Sequence, residues 1–391
     1  MHEQTPARGD ADLSNWRTSP HSRWAFHNVG ELVPHLPIAN DPARVSPLSP
    51  SSRNLDAFEL TGFDGSNLNL EQFVGSTATD ALIVLVDGQV AHESYYNGNT
   101  PETPHILMSS TKAVMGLVAG ILEQSGGINL DDPASRYVPE VADTAYGGAT
   151  LRNLTDMRTG VKLDERQQRA YQLAMNWNPA IPGEEPQDLH RFLSHLAVTG
   201  APHGGPFSYI SGNTDLLGWA LERATGRSVA SLISDLLWKP MGAETAGYIT
   251  VDSKDAPLCT GGIGAVARDF ARIGQLLVDG GRSGDAKVIP PSLIADIASN
   301  GDPEAWSKGE WGSAFASIST QMSYRRGWYI KADAPKVIFA MGIHGQNLFI
   351  DVENRIVVAK FSSWAESTDY SALPLTHMAI NSIRRCLTGA P

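Results

Sequence analysis

The stretch that decides the fold reads Met108-Ser109-Ser110-Thr111-Lys112-Ala113-Val114-Met115-Gly116. Apolar residues recur after it at spacings of three and four as far as Leu122, which predicts an amphipathic helix beginning near residue 109. Gly126-Gly127 marks its end. Side chains three residues apart share one helix face, so Ser109 and Lys112 are expected within hydrogen-bonding range of each other.

This Ser-x-x-Lys pair fits nucleophilic catalysis. Unpaired N–H groups at a helix N-terminus, together with the helix dipole, favour negative charge on Ser109 and disfavour protonated Lys112. A neutral lysine among apolar flanks can then take the serine proton. Nine Lys and 34 Ser in 391 residues give about one such pair by chance. The alternative is therefore a helix capped by Ser109 or Ser110, with Lys112 in solvent.

The flanking sequence predicts a sheet built from both ends of the chain. Ala81–Val86 and Gln89–Tyr95 are strand-like runs joined by Asp87-Gly88, a strong hairpin signal. Short connections between the later runs favour an antiparallel sheet, closed by a helix over about Leu375–Leu387. These later strands are expected at Arg326–Lys331, Val337–Ala340, Asn347–Val352 and Ile356–Phe361.

The expected fold is α/β in the broad α+β sense, with an antiparallel sheet flanked by helices and an all-helical lobe. Residues 1–55, broken by prolines, are expected to form an extended N-terminal lead-in. Residues 56–105 with 246–391 should form the α/β lobe, and 106–245 the mainly helical lobe. We expect the active site between the lobes.

A second segment, Phe207-Ser-Tyr209-Ile-Ser211-Gly-Asn213-Thr-Asp215, places a tyrosine in a polar turn before a helix. Tyr209 can reach into a cleft there as a general acid or base. The alternative is an ordinary loop tyrosine that satisfies one buried group. Asn213 or Asp215 can then serve only to cap the next helix.

A third segment, Met341-Gly-Ile-His-Gly-Gln-Asn347, lies between two strand signals. Its glycines permit close approach of a ligand to a strand edge. A backbone N–H there can act as a second oxyanion donor beside the N–H of Ser109. The alternative is a bulge or turn in which His344 bonds to backbone.

Composition excludes several classes of function. The formal net charge of −12 argues against nucleic acid or an anionic membrane surface as partner. No apolar run approaches a membrane span, and no secretory signal is expected at the N-terminus. The two cysteines, Cys259 and Cys386, fit a reducing compartment, so a cytoplasmic location is expected. Neither a metal nor an organic cofactor is expected, since His92-Glu93 lacks a second histidine and Gly262–Ala267 lacks a preceding strand.

The order and spacing of the three segments resemble the serine β-lactamase and penicillin-binding protein family, in its class C and family VIII esterase branch. Within that family, the chain is most similar to the 6-aminohexanoate-dimer (nylon oligomer) hydrolases. The stretches that carry this likeness are Arg23-Trp-Ala-Phe26, Met108–Lys112, Asn213-Thr-Asp215, Gly342-Ile-His-Gly-Gln-Asn-Leu348 and Ser362-Ser-Trp364. The resemblance implies a β-lactamase-like fold and an acyl-enzyme mechanism.

The resemblance also implies roles for individual residues. It makes Ser109 the nucleophile, Lys112 its base and Tyr209 the proton relay to the leaving group. The backbone amides of Ser109 and Ile343 would form the oxyanion hole, although another amide near Gly342–Gln346 can take the second place. The substrate pocket would include Trp177, Thr260 and His344.

The sequence therefore predicts a serine hydrolase that cleaves carboxylic esters or linear amides of small acyl compounds through a Ser109 acyl-enzyme. One alternative is a non-catalytic member of the fold that binds a small ligand. Another is hydrolysis of β-lactams or cleavage of D-amino peptides. The sequence leaves open that the protein assembles as a homodimer.

Overall fold

The computed structural model describes residues 8–197 and 200–389. Its strands are β1 (His35–Ile38), β2 (Leu60–Thr61), β3 (Asn67–Leu68), β4 (Thr79–Val86), β5 (Gln89–Tyr95), β6 (His105–Ile106), β7 (Gly247–Thr250), β8 (Ile263–Ala265), β9 (Arg282–Ser283), β10 (Ala286–Lys287), β11 (Met322–Arg325), β12 (Trp328–Lys331), β13 (Val337–Gly342), β14 (Gln346–Asp351) and β15 (Ile356–Ser362).

The α-helices are α1 (Ser22–Ala25), α2 (Leu70–Ser76), α3 (Thr111–Gln124), α4 (Ala134–Tyr137), α5 (Leu151–Thr155), α6 (Glu165–Ala174), α7 (Leu189–Ser194), α8 (Gly212–Thr225), α9 (Val229–Ile233), α10 (Lys239–Met241), α11 (Ala267–Val278), α12 (Pro291–Ser299), α13 (Pro303–Ser307) and α14 (Ala372–Thr388). Among these helices of the described chain, none is both long and apolar enough to cross a membrane.

A seven-stranded antiparallel sheet unites the two ends of the chain, as predicted. Its order is β11-β12-β13-β14-β15-β4-β5, so strands early and late in the sequence meet where β4 pairs with β15. The β4–β5 hairpin turns at Asp87 and Gly88, both at positive φ, which is typical of a two-residue hairpin loop. Strand signals were expected from Tyr324 onwards, but β11 begins at Met322, and Arg326 and Gly327 of the predicted run Arg326–Lys331 form the turn to β12.

Side-chain alternation along β4 explains how the sheet is covered on both faces. Ala81, Ile83 and Leu85 join the core that includes α11, whereas Leu82 and Val84 join the core that includes α14. Successive strand residues point to opposite faces, so the apolar run Ala81–Val86 is buried on both sides.

The N-terminal lead-in departs from the extended, irregular segment that was expected. Strand β1 pairs with β7 in a second sheet of order β1-β7-β8-β6, and Trp16 and Phe26 are buried in the core. This pairing joins residues more than 200 positions apart, so no local pattern announces it. The part of the lead-in formed by residues 1–7 lies outside the described residues.

The segment between the two halves of the large sheet is mainly helical, from α3 to α10. Helix α3 is buried along nearly its whole length, because it packs against both the neighbouring helices and the large sheet. The division into two lobes at the predicted boundaries stays a prediction. Ser109 and Lys112, the first residues of the candidate site, lie at the N-terminal end of α3.

Candidate active site

The turn that precedes α3 presents Ser109 at the start of the helix. Residues Met108–Ser110 form a single 3-10 turn, and Met108 has a φ of 47°, a conformation that costs energy and often occurs at functional sites. The helix begins at Thr111, and Ser110 makes no side-chain capping bond. Instead, the Ser110 hydroxyl donates to the carbonyl of Gln346 at 3.1 Å, which fixes the turn against β14.

Lys112 is a buried amine in contact with the Ser109 hydroxyl. Its Nζ donates to Ser109 Oγ at 3.1 Å and to the carbonyl oxygen of Thr260 at 2.7 Å. The residue is 2% exposed, so the solvated lysine of the alternative interpretation is wrong. Burial holds the pKa of Lys112 well below the ordinary value of a lysine, and the charge of Asp215 opposes this shift.

Asp215 fixes the backbone that receives the lysine. One carboxylate oxygen accepts a hydrogen bond from the N–H of Thr260 at 2.9 Å, and the other accepts from the hydroxyl of Tyr171. Burial raises the pKa of the Asp215 carboxyl. Helix α8 has no side-chain cap, so the capping role considered for Asp215 is wrong.

We expect Asp215→Asn to shift the acid limb of the pH–rate profile. The aspartate charge raises the pKa of Lys112, so its removal lowers that pKa and keeps the amine neutral at lower pH. The limb should move to lower pH by about 1 unit. Steady-state kinetics with a neutral ester across the acid and neutral range measures the shift. Asp252→Asn is the matched control, since this buried carboxylate also accepts backbone N–H groups, those of Lys254 and Ala256. An unmoved limb would exclude charge coupling.

Tyr209 lies on the other side of Ser109. Its side chain lines the same cavity as those of Ser109 and Tyr329, and burial raises its pKa, an effect that interactions with these two hydroxyls oppose. The Nζ of Lys112 stands 4.9 Å from the centre of the Tyr209 ring. The ring stacks on Trp311 with centroids 4.5 Å apart, and the Tyr209 N–H donates to Glu310. This tyrosine is therefore held in place from both its ring and its backbone.

The end of β13 closes against the Ser109 turn. A Cβ atom on Gly342 would lie 2.6 Å from the carbonyl oxygen of Leu107 and 3.0 Å from the Ser109 nitrogen. Only a residue without a side chain fits this approach. Gly342 and Ile343 line the same cavity as Ser109 and Tyr209, so the two predicted oxyanion donors border one space.

The three residues predicted for the substrate pocket make contacts elsewhere than in the wall of the cavity at Ser109. Trp177 is buried and its indole N–H donates to Thr250, Thr260 contributes its backbone to Lys112 and Asp215, and His344 contacts the carbonyl oxygen of Trp364 at 2.8 Å. His344 thus has the backbone bond of the alternative interpretation. Within the described chain, none of the three lines the cavity at Ser109. Their part in substrate binding stays a prediction.

The cavity at Ser109 has a volume of about 410 Å³ and is mostly apolar. The sequence analysis did not predict most of the residues that line this cavity. The aromatic residues that recur between Trp306 and Tyr329 could have indicated an apolar wall. Among the described residues, no Asp, Glu, Lys, Arg or His lines it. The lining residues are Ser109, Tyr209, Trp311, Ala314, Phe315, Ser317, Ile318, Tyr329, Met341, Gly342, Ile343, Trp364, Ser367, Thr368, Tyr370, Leu373 and Pro374.

Comparison with known proteins places this arrangement in a class. The Beta-lactamase family model matches residues 68–380, and the chain belongs to that family. It is a serine hydrolase of the β-lactamase and penicillin-binding protein class, as the sequence predicts.

Two proteins with more specific names, and one further solved structure with the same fold, are similar to this chain. The chain is 34% identical over 367 residues to the 6-aminohexanoate-dimer hydrolase of Paenarthrobacter ureafaciens, covering 92% of this chain and 90% of that protein. A candidate 6-aminohexanoate-dimer hydrolase from Bacillus anthracis superposes with a TM-score of 0.90 at 28% identity, covering 99% of this chain and 100% of the other. EstCE1, a hydrolase with promiscuous acyltransferase activity, has a TM-score of 0.60 at 16% identity, with 81% and 98% covered. This last likeness concerns the fold alone.

Proposed function

We propose that Ser109 is the nucleophile of an acyl-enzyme mechanism and that Lys112 is its general base. The observation that carries this proposal is the buried Lys112 amine, 3.1 Å from Ser109 Oγ and with a lowered pKa. A neutral amine can accept a proton, whereas a solvated ammonium cannot.

In acylation, Ser109 Oγ bonds to the substrate carbonyl carbon and its proton passes to Lys112 Nζ. The carbonyl oxygen becomes an oxyanion that the backbone N–H groups of Ser109 and Ile343 stabilise. As the oxyanion collapses, the bond to the leaving group breaks. The leaving group takes the proton back from Lys112 through the hydroxyl of Tyr209.

Deacylation repeats these proton transfers with water. Water adds to the acyl carbon, and its proton passes to the neutral amine of Lys112 through the hydroxyl of Tyr209, which gives up its own proton as it takes the new one. The ester bond to Ser109 Oγ then breaks, and the serine oxygen recovers a proton. The products are the free acid and the free enzyme, and the steps use only this chain's side chains and backbone.

Labelling with a fluorophosphonate tests the nucleophile. We expect intact-mass spectrometry to show one adduct on the wild-type chain and none on Ser109→Ala. Ser110→Ala is the matched control. It removes the neighbouring hydroxyl, which donates to Gln346, and leaves the contact between Ser109 and Lys112 in place, so this variant should still be labelled. No adduct on folded wild-type protein would overturn the proposal and favour a ligand-binding role.

The cavity supports substrates with a neutral, apolar acyl group. Burying an unpaired charge is costly, and the described lining offers no charged partner. A second, mostly apolar cavity of about 420 Å³ adjoins the first and gives a longer chain room to extend. Its wall also includes Lys331, whose charge is paired with Asp333. The residues that the two cavities share are Ser317, Ile318, Tyr370 and Pro374. The 6-aminohexanoate dimer, charged at both ends, suits this lining less well than a neutral ester.

We expect kcat/KM for p-nitrophenyl esters to rise with acyl length. Each buried methylene contributes about 0.8 kcal/mol, or up to about 4-fold per methylene. Esters matched in length but ending in an ammonium group should be poorer substrates. Steady-state kinetics on the two series measures both effects. Equal rates for charged and neutral chains would contradict an apolar acyl site. Ile318→Asp is a useful further variant, since it should weaken the length dependence.

Two other expectations remain proposals. A homodimer can be tested by light scattering coupled to gel filtration. Cytoplasmic location rests on Cys259 and Cys386, which are unpaired with each other.

A further inference from the structure

Two histidines and an aspartate converge in the core, where the N-terminal lead-in meets the two larger sheets. His27 follows α1, Asp80 lies near the start of β4, and His105 begins β6. They are 8%, 0% and 0% exposed, respectively. One side-chain ligand atom from each residue lies within 4.8 Å of the others. Among the described residues, no other such group has this spacing, and none of the three lines the Ser109 cavity.

The contacts of His105 define which atoms face the centre. Its Nδ1 lies 2.9 Å from the carbonyl oxygen of Ile106, and its Nε2 lies 3.2 Å from an oxygen of Asp80. Both neighbours are acceptors. A neutral imidazole has one N–H and donates to only one of these acceptors, so the contact at Nε2 requires a further proton or a cation beside the carboxylate.

His27 supplies the second, independent observation. Its Nε2 is buried and has no hydrogen-bond partner, and it points towards Asp80 at 3.9 Å from the same carboxylate oxygen. A proton shared between His105 and Asp80 leaves this nitrogen unsatisfied. A cation at the centre would satisfy both rings and the carboxylate together.

We propose that His27, Asp80 and His105 bind a divalent transition-metal ion of the zinc type. Zinc takes imidazole nitrogen and carboxylate oxygen at about 2.0–2.2 Å, so tetrahedral ligand atoms are about 3.4 Å apart. The separations of 3.2 and 3.9 Å from Asp80 are close to this. Water would complete the coordination. The sequence analysis predicted no metal from the lack of a second histidine near His92-Glu93. His27, Asp80 and His105 are far apart along the chain and form no local motif.

The surroundings provide the outer contacts that metal ligands usually have. The other oxygen of Asp80 accepts hydrogen bonds from Asn97 at 2.7 Å and from Ser363 at 3.1 Å. The N–H of His105 that faces Ile106 fixes its ring orientation, as is common for metal-bound histidine. Lys360, the nearby buried amine, donates to Thr77 and Ser362. The carboxylate therefore keeps an oxygen for the ion.

The ion would stabilise the lead-in against the sheets and take no part in the acyl chemistry. The carbonyl of Phe26 accepts the N–H of Ile106 at 3.0 Å, so the lead-in and β6 already meet beside the cluster. Because binding a ligand to the folded state alone favours that state, removal of the ion should lower the melting temperature.

The test uses the full chain purified without a histidine tag. Elemental analysis should find zinc at one equivalent per chain, and the stripped protein should take up one equivalent of Co²⁺ with the visible absorption of a tetrahedral site. His27→Gln and His105→Gln should lose both signals. His377→Gln is the matched control, since that buried ring also has an unpartnered Nε2 and should leave them intact.

A chelator applied to the wild-type chain makes the result independent of any variant's folding. We expect it to lower the melting temperature and zinc to restore it, with Ser109 labelling by fluorophosphonate retained below the melting range. Wild-type protein without zinc that also shows no saturable uptake of Zn²⁺ or Co²⁺ would overturn the proposal. Equal metal content in folded His27→Gln would overturn it as well, and the cluster would then be a proton-linked His–Asp pair.

Discussion

Replacing Lys112 by Met lowers kcat/KM for ester hydrolysis by about 10³-fold or more, because the substitution removes the only amine in contact with Ser109 Oγ among the described residues. General-base catalysis contributes about 10²–10⁴-fold, and the fluorophosphonate reaction should slow in parallel. Methionine has nearly the same length and no charge, so it fills the space of the lysine stem. Pre-steady-state acylation rates measure the loss directly.

The same substitution should stabilise the fold. Burial lowers the pKa of Lys112, so between the folded and unfolded pKa values the unfolded chain binds more protons than the folded one. The cost is greatest below the folded pKa and disappears as pH rises above the unfolded value. Lys112→Met removes this pH-dependent cost, so the gain in stability is largest at acid pH and shrinks at alkaline pH. Denaturant unfolding at several pH values measures the gain.

Lys360→Met separates a catalytic lysine from a merely buried one. Lys360 is also fully buried, and burial lowers its pKa to about 7, but it lies away from the Ser109 cavity. Its variant should keep its esterase activity. Full activity in Lys112→Met would refute the assignment of Lys112 as base, whatever its effect on stability.

Sequence patterns predicted the parts of the fold that depend on interactions between residues close together in the chain. The Asp87-Gly88 hairpin has a turn signal between two strand-like runs, and α3 has apolar spacing over three turns. The short connections among the later strands predicted their antiparallel pairing. The Ser109–Lys112 contact needed only the geometry of one helical turn.

The remainder depends on contacts between distant segments. Strand β1 has only four residues, one of them Pro37, and it is fixed by its partner β7. From the sequence, Asp215 is interpreted as a helix cap. Its hydrogen bond from the Thr260 N–H joins residues 45 positions apart, so no local pattern indicates it. The aromatic wall of the cavity depends on how the loop around Trp311 folds over Tyr209, which no periodicity encodes.

Gly342→Ala tests the close approach of β13 to the nucleophile turn. The backbone of Gly342 has φ −128° and ψ 151°, which any residue adopts, so the expected loss is purely steric. Its new methyl would lie 2.6 Å from the carbonyl oxygen of Leu107 and 3.0 Å from the Ser109 nitrogen, both backbone atoms that move only with the turn. We expect kcat to fall by about 10²-fold, as when an oxyanion donor is misplaced, with a stability loss of about 1–3 kcal/mol.

Measuring kcat and KM separately distinguishes displaced oxyanion donors from a general disruption of the active site. Displacement of the donors lowers kcat and leaves KM nearly unchanged. Gly75→Ala is the matched control, because its methyl would meet no atom within 4 Å and alanine favours the helix that holds it. Wild-type kcat in Gly342→Ala would mean that the β13 edge is not part of the oxyanion site. The second donor would then have to come from another backbone amide between Gly342 and Gln346.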